Sequence, residues 1–333
     1  NLFYLKPSTD LLFVIQSTLI TEADIGSRQK WLIKGSSIYS WIFAKNVQKI
    51  RCTLFNVQLL HNPHNSCGVA IELINGRFYK SSQERGLPSM KTSIARQLLG
   101  INRRFYNQFA QSFSISRMSM HKGILQSLPG ISPLGHMVDI GCGDGRVGHH
   151  VLDHAENLGL SSYLGADFSE ALIRQRQQPA LLDSKKISFT QIDISKPAWE
   201  RPLLSRAFDS AVCFSTLHHI PGPRRRLRVL SGLRKILRHG GKCVISVWQL
   251  SHVARLQKKI RSWESLGIDP RNLEPNDFLV DWKMGGEGVR YVHEFSEEEL
   301  LHLSNLGGFI VRDSFRSDGQ SGDMGLYVVL EAP

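Results

Sequence analysis

The sequence predicts an α/β fold built on a doubly wound, mostly parallel sheet. A strand-like run at 138–140 leads straight into a glycine-rich turn, and apolar residues then recur at helical spacing. Further strand-like runs follow in order, and two of them end in an acid, at Asp167 and Asp193. Ligands of such sheets bind at the carboxyl ends of the strands, so these acids indicate a binding site there.

The glycine turn is the most specific of these features. Gly141, Gly143 and Gly145 alternate behind the strand residue Asp139. Glycine allows positive φ and a close approach of ligand to backbone. A dinucleotide fingerprint needs its third glycine five residues after the first, and Arg146 occupies that position. The spacing therefore indicates a nucleotide-like ligand but not a dinucleotide.

The other elements are predicted from apolar periodicity and from strand-like runs. In chain order they are a helix over 147–158, strands at 161–166, 187–192 and 208–214, a helix with its apolar stripe at 227–237 that ends at Gly240-Gly241, and a strand at 243–248.

The Asp-x-Gly-x-Gly-x-Gly pattern at 139–145 resembles the first motif of class I S-adenosylmethionine-dependent methyltransferases. That resemblance implies a Rossmann-like seven-stranded sheet with helices on both faces. It also implies S-adenosylmethionine as the cofactor.

A narrower resemblance covers residues 104–332. Residues 106–117, from Tyr106 to Arg117, are similar to the helix that precedes this motif in the tRNA carboxymethyluridine methyltransferases, with departures at Phe109 and Ser116. Similar pieces recur at 246–248 and 290–295, and His239 departs from the family. The resemblance implies methyl esterification of a carboxymethylated wobble uridine, tRNA as the partner and a small activator protein.

The resemblance also implies which residues bind the cofactor. Asp139 is expected at the methionine amino group, Asp167 at the ribose hydroxyls, and Asp193 with Ile194 at the adenine. A carboxylate suits the ribose because it can accept both hydrogen bonds. The full predicted set is Tyr106, Arg117, Asp139, Gly141, Cys142, Gly143, Gly145, Asp167, Asp193, Ile194 and Ser215.

The catalytic candidates are Arg117 and His219. A guanidinium matches a carboxylate, so Arg117 is expected at either the methionine or the substrate carboxylate. A carboxylate nucleophile is already ionised at neutral pH and needs no base. His219, Arg290 and His293 are expected in the substrate site.

Two other functions stay open at this point. A small-molecule O- or C-methyltransferase acting on a quinone or lipid precursor would need a base, and His218 and His219 are the candidates. A non-catalytic module with the same fold is the other alternative.

The net charge of +12 is unevenly distributed. No acid occurs between Asp209 and Glu264, and 12 basic residues fall in that window. A positively charged surface beside a cleft favours binding of a nucleic acid phosphate backbone, although basic helices also bind anionic lipid surfaces. The 12 are Arg224, Arg225, Arg226, Arg228, Arg234, Lys235, Arg238, Lys242, Arg255, Lys258, Lys259 and Arg261.

Residues 1–95 are predicted to be a basic extension of no recognisable function, partly disordered or not part of the working protein, and 96–333 the methyltransferase domain. The break is expected in a linker at 81–100. The apolar run at 11–20 is too short to span a bilayer. The five cysteines show no paired spacing, which indicates a reducing, cytoplasmic compartment without disulfides or a zinc site. His149, His150 and His154 lack partner ligands, so no metal is expected.

Overall fold

The computed structural model describes residues 87–117, 119–176 and 186–333 in full, and within 1–86 the backbone of short strands. The chain divides into two compact units, Asn1–Gly86 and Leu87–Pro333, in place of the predicted boundary at 95/96. The second unit carries every motif discussed above.

The first unit contains two antiparallel sheets, ordered β1-β3-β2 and β4-β5-β6. The predicted disorder of this segment concerns residues outside the described part of the chain. Its strands are β1 (Leu11–Val14), β2 (Gln29–Lys34), β3 (Tyr39–Ala44), β4 (Lys49–Cys52), β5 (Val57–Leu60) and β6 (Ala70–Leu73).

A seven-stranded sheet forms the centre of the second unit, in the order β15-β16-β11-β10-β7-β8-β9. Its strands are β7 (Gly135–Ile140), β8 (Leu160–Asp167), β9 (Ile187–Gln191), β10 (Phe208–Phe214), β11 (Leu237–Trp248), β15 (Ile310–Ser317) and β16 (Gly325–Glu331).

The directions of the strands place the binding site. β9, β8, β7, β10 and β11 are parallel, whereas β16 pairs antiparallel with both β11 and β15. The chain runs outward from β7 to β9 and then returns to the other side of β7 with β10. The crevice at the carboxyl ends of β7 and β10 is thus the switch point at which such sheets bind ligands.

Helices pack on both faces of this sheet, as predicted for the doubly wound fold. The α-helices of the fully described residues are α1 (Thr92–Gln108), α2 (Ala110–Ile115), α3 (Lys122–Gly130), α4 (Arg146–Asp153), α5 (Ala155–Leu158), α6 (Glu170–Ile173), α7 (Pro223–Ile236), α8 (Ala254–Gln257) and α9 (Glu297–Leu306).

The core has two layers because successive residues of a strand point to opposite faces. Val138 and Ile140 of β7 belong to the apolar cluster that includes α7 and α9. Met137 belongs to the cluster on the other face, with α3 and α4. The predicted seven-stranded sheet with helices on both faces is therefore confirmed.

A second, small sheet follows β11 in the chain. It contains β12 (Ile260–Arg261), β13 (Asp277–Trp282) and β14 (Gly288–His293), all antiparallel. Helix α1 packs on β14, where Asn102 of α1 bonds both backbone atoms of Tyr291. This contact brings the small sheet to the carboxyl edge of the large one.

Two boundary predictions were wrong. Helix α1 begins at Thr92, inside the predicted linker. Gly240-Gly241 lie within β11 and do not end α7, which stops at Ile236. β10 pairs Phe208 with Leu237 but Ser210 with Lys242, so the glycines occupy an irregularity of the strand. In the described residues we find no helix long and apolar enough to span a membrane.

Candidate active site

The carboxyl ends of β7, β8, β10 and β11 open into one pocket, which α1 and α2 cover. Its empty space is about 990 Å³ when the open mouth is included. It is lined by Leu99, Asn102, Arg103, Tyr106, Phe113, Arg117, Gly141, Cys142, Gly143, Asp144, Arg146, Asp167, Phe168, Leu172, Ile192, Asp193, Ile194, Ser195, Phe214, Ser215, Thr216, His219, Ile220 and Trp248.

The glycine turn forms the floor of the pocket. Gly141, Gly143 and Gly145 have φ values of +78°, +58° and +81°, a region that L side chains rarely adopt. A Cβ on Gly141 would lie 2.1 Å from Thr216 Oγ1, whereas a Cβ on Gly143 would meet no atom within 4 Å. The space beside Gly143 is therefore open to a ligand, whereas Gly141 allows the turn to pack closely against Thr216.

Asp167 ends β8 beside this turn, as the sequence predicts for a ribose ligand. Its Oδ2 accepts a hydrogen bond from Gly143 N at 2.9 Å, and Oδ1 accepts one from Ser169 N at 2.8 Å. Burial raises the pKa of this carboxyl to about 6, against the effect of the amide hydrogen bonds. Each oxygen keeps an acceptor site for a hydroxyl group.

Asp193 and Ile194 lie on the neighbouring wall. Arg103 of α1 donates to Asp193 Oδ2 at 2.7 Å, and Ser195 donates twice to Oδ1. Burial opposes ionisation of Asp193, but these bonds from Ser195 and Arg103 leave its pKa lowered. The apolar side chains Ile192, Ile194, Phe168 and Leu172 surround the acid in the pocket lining and offer flat contacts for a purine.

Tyr106 and His219 meet across the pocket. The Tyr106 hydroxyl lies 2.7 Å from Nε2 of His219, and His219 Nδ1 lies 2.8 Å from the carbonyl oxygen of Tyr291. A carbonyl only accepts, so Nδ1 carries the proton and Nε2 accepts from Tyr106. Burial lowers the pKa of His219 to about 3. The ring is therefore neutral, and the lone pair of Nε2 is occupied by the hydrogen bond from the Tyr106 hydroxyl.

Arg117 follows α2 and lines the opposite end of the pocket. Its guanidinium carbon lies 4.7 Å from the ring centre of Phe113 and 5.4 Å from that of Trp248. Burial, followed by the charges of Arg146 and Arg290, lowers its pKa. An anion bound here would relieve that repulsion.

Arg290 of β14 lies behind this wall and not in the pocket lining. Its guanidinium is 4.8 Å from the ring of Phe105, 4.9 Å from Trp248 and 5.1 Å from Trp282. Nε and Nη1 are buried without a hydrogen-bond partner. Trp248 is therefore shared by two arginines, with Arg117 on the pocket side and Arg290 buried.

Besides Arg290, three more predicted site residues lie outside the pocket lining. Asp139 is buried in β7, where it accepts a 2.7 Å hydrogen bond from the Tyr163 hydroxyl. Gly145 faces the ring of Phe189, which a Cβ would approach to 2.8 Å. His293 is buried against Asp277. Their predicted ligand contacts stay predictions, and the structure gives each residue a packing role instead.

His293 belongs to a buried ionic network. Its Nδ1 lies 2.9 Å from Asp277, and its Nε2 lies 3.1 Å from Glu299. Among the described residues, Glu274, His293 and Glu299 are the group close enough together to share a metal ion. The buried guanidinium of Arg226 binds both glutamates, so a cation already neutralises them. We therefore assign no metal to this group.

The structure separates the basic window into two parts. In the part before Trp248, the side chains of Arg226, Lys235 and Arg238 pair with Glu274, Glu200 and Asp209, so these charges are held by the fold. In the part after Trp248, Arg255 and Lys258 are exposed, and no ion pair joins either to a described residue. The charge beside the pocket is concentrated there.

Several lining residues were missed by sequence reasoning. Asn102 precedes Tyr106 by one helical turn, so the i, i+4 spacing could have indicated it. Trp248 ends a predicted strand, as Asp167 does, but carries no charge to draw attention to it. Phe113 lies within the 106–117 motif and Arg146 directly follows the glycine turn, so both had a local signal. Arg103 has none, because tertiary packing alone brings it to the pocket.

The residues present fit S-adenosylmethionine. The floor leaves room above Gly143, and Asp167 offers acceptors to a ribose between apolar walls for a purine. Arg146 supplies positive charge at the other end for the methionine carboxylate. Hydrogen-bond acceptors at the nucleoside end and a cation at the amino-acid end match the groups of this cofactor.

Comparison with known proteins supports this assignment. Residues 138–243 match the family model described as a methyltransferase domain. The chain is 25% identical over 213 residues to a putative methyltransferase of Encephalitozoon cuniculi, covering 63% of this chain and 87% of that one. It is 27% identical over 186 residues to the mouse tRNA (carboxymethyluridine(34)-5-O)-methyltransferase ALKBH8, covering 53% of this chain and 24% of the relative.

A solved structure shows the same fold. It is a complex between the Haloferax volcanii Trm112 methyltransferase activator and a putative methyltransferase, with a TM-score of 0.50 and 15% identity. The match covers 70% of this chain and 97% of that one. The chain therefore contains a class I S-adenosylmethionine-dependent methyltransferase domain that resembles the tRNA carboxymethyluridine methyltransferases.

Proposed function

We propose that the domain methylates the carboxyl group of a carboxymethylated wobble uridine in tRNA. The observation that carries this proposal is the pair of arginines whose guanidinium carbons lie 5.4 Å (Arg117) and 4.9 Å (Arg290) from the ring centre of Trp248. Neither Arg117 nor Arg290 pairs with a carboxylate of the described residues, although burial opposes charge on both. Buried cations are normally paired, so this end of the pocket calls for an anionic group.

The absence of an available base in the described pocket favours a carboxylate among anionic acceptors. Nε2 of His219 is engaged by Tyr106, and the pKa of His219 is too low for proton removal at neutral pH. His218 is fully buried, its Nδ1 accepts from Trp248 N, and burial lowers its pKa. A carboxylate is ionised at neutral pH and reacts without losing a proton.

The bound cofactor supplies a methyl group activated by a positively charged sulfur. The pocket residues orient the acceptor: the fork of Arg117 matches both oxygens of a carboxylate and leaves a lone pair directed away from the guanidinium. Phe113 and Trp248 exclude water from this region. A carbon–oxygen bond forms as the methyl–sulfur bond breaks, and alignment of the two is the main task of the protein.

The 27% identity over 186 residues to the mouse tRNA (carboxymethyluridine(34)-5-O)-methyltransferase supports tRNA as the substrate. The experiment must therefore identify both acceptor and bond. The full chain is incubated, with and without a Trm112-type activator protein, with labelled S-adenosylmethionine and total tRNA whose methyl esters have or have not been saponified beforehand.

Label that enters only saponified tRNA, and is released by mild base, is the expected result. Base-stable label would point to a nitrogen or carbon acceptor and overturn the proposal. No label, alongside measurable cofactor binding, would favour the small-molecule alternative.

An activator protein and a cytoplasmic location belong to the same proposal. The resemblance implies the activator, and the unpaired thiols of Cys142, Cys213 and Cys243 are compatible with a reducing compartment. Full tRNA methylation by the purified chain alone would contradict the need for an activator.

A further inference from the structure

We propose that Arg255, Lys258 and Lys259 form a phosphate-binding rim that holds the RNA backbone beside the pocket mouth. This inference rests on the proposed function and adds the surface that recognises its substrate. Arg255 and Lys258 are exposed, and Lys259 is half-buried. The three residues are called the basic rim below.

The basic rim is tied to the pocket wall by packing. Leu256, within the same segment, belongs to the apolar cluster of Trp248 and Val280. The carbonyl oxygen of Lys259 accepts a 2.8 Å hydrogen bond from Asp281 N on β13. The rim is thus fixed to the small sheet on the side of Trp248.

The charges of the rim reinforce one another. The pKa of Lys259 is lowered by burial and then by the charges of Arg255 and Arg290, while Asp281 opposes them. Asp281 itself pairs with Arg261, at 2.8 Å. The electrostatic potential is therefore positive from the surface at Arg255 toward the buried Arg290, and it attracts anionic groups.

RNA fits this surface better than a membrane does. A membrane-binding helix needs an exposed apolar face, but the segment from 254 to 261 exposes no large apolar side chain, and Leu256 points into the core. Phosphates spaced along a nucleic acid strand suit successive cations on an exposed segment. A uridine in the pocket would have its neighbouring phosphates near this edge.

The test uses the full chain and a matched control. The rim variant carries Arg255→Gln, Lys258→Gln and Lys259→Gln. The control carries Lys235→Gln, Arg238→Gln and Lys242→Gln, which lie on α7 and at the amino end of β11, away from the pocket, and remove the same charge. Measurements are the KM for saponified tRNA, its salt dependence, and the affinity for S-adenosylmethionine.

In the rim variant we expect the KM for tRNA to rise at least about tenfold at 0.15 M salt, since each lost phosphate contact removes a factor of about four. The slope of log KM against log salt should fall by about 2 to 2.7, that is by about 0.7 (single strand) to 0.9 (duplex) for each of the three lost contacts. Cofactor affinity should stay unchanged, and the control should match the wild type.

An unchanged KM, or an equal rise in the control, would overturn the inference while tRNA methylation by the wild type leaves the proposed function intact. Loss of binding to phosphatidylserine vesicles without any change in the tRNA KM would also overturn it, in favour of a membrane surface. A wild-type chain that methylates no tRNA would refute the proposed function itself.

Discussion

The hydroxyl of Tyr106 donates to Nε2 of His219 at 2.7 Å, and this bond fixes the neutral tautomer of the histidine. Two elements distant in the chain, α1 and the turn after β10, are joined by it. Because the lone pair of Nε2 is used within the protein, we expect His219 to position Tyr106 and not to remove protons from substrate.

His219→Gln should therefore keep a constant fraction of the wild-type rate between about pH 5.5 and 8, since a ring with a pKa of about 3 does not titrate there. Steady-state rates across this range test the prediction. His219→Ala, which cannot hold the Tyr106 hydroxyl, serves as the comparison and should be slower. A variant-to-wild-type ratio that falls steadily with rising pH would identify His219 as a base.

Cofactor binding should weaken in acid because of Asp167. The pKa of its carboxyl is about 6, so the ionised form that accepts hydroxyl hydrogen bonds is lost as the pH falls through that value. At pH 5 the affinity should be about tenfold lower than at pH 7, from the fraction ionised. Calorimetry on the wild type and Asp167→Asn separates the effect: the variant should bind weakly, with no inflection near pH 6.

Two glycines of the turn should respond differently to alanine. Gly143→Ala should cost about 1–2 kcal/mol from its left-handed φ and abolish cofactor binding, because its Cβ enters the open pocket. Gly141→Ala adds a clash with Thr216 and should be considerably less stable. Denaturant unfolding and cofactor titration measure the two effects. Equal stability losses would show that Thr216 moves aside.

Arg117→Gln should reduce kcat/KM for the tRNA acceptor about a hundredfold, the value of two charge-assisted hydrogen bonds of roughly 1.5 kcal/mol each. Arg117→Lys keeps the charge without the planar fork and should recover only part of the rate. Cofactor affinity is measured in parallel. If that affinity collapses instead, Arg117 binds the methionine carboxylate.

Stability should depend on pH through His293. Burial opposes its charge, but Asp277 and Glu299 raise its pKa above the ordinary 6.5. The protonated ring thus stabilises the fold fully below pH 6.5, and this contribution is lost as the pH rises through the folded-state pKa. His293→Gln should cost about 1–3 kcal/mol at pH 6 and less at pH 8, by urea unfolding. A cost that grows with pH would contradict the assignment.

The sequence by itself determined the sheet and its binding edge. Asp139, the alternating glycines and Asp167 are local signals, because a turn with positive φ and an acid at a strand end are written in consecutive residues. The seven-stranded sheet itself was implied by the resemblance to the class I methyltransferases.

Only the tertiary structure decided what the charged residues do. His293 and Arg290 are three residues apart on one strand, yet one is neutralised by Asp277 and Glu299 while the other is left among aromatic rings. The basic residues between Asp209 and Glu264 likewise differ in whether they are paired, because their acidic partners lie far away in the chain. Whether a charge is paired depends on which elements pack together, and residue spacing along one segment does not encode that.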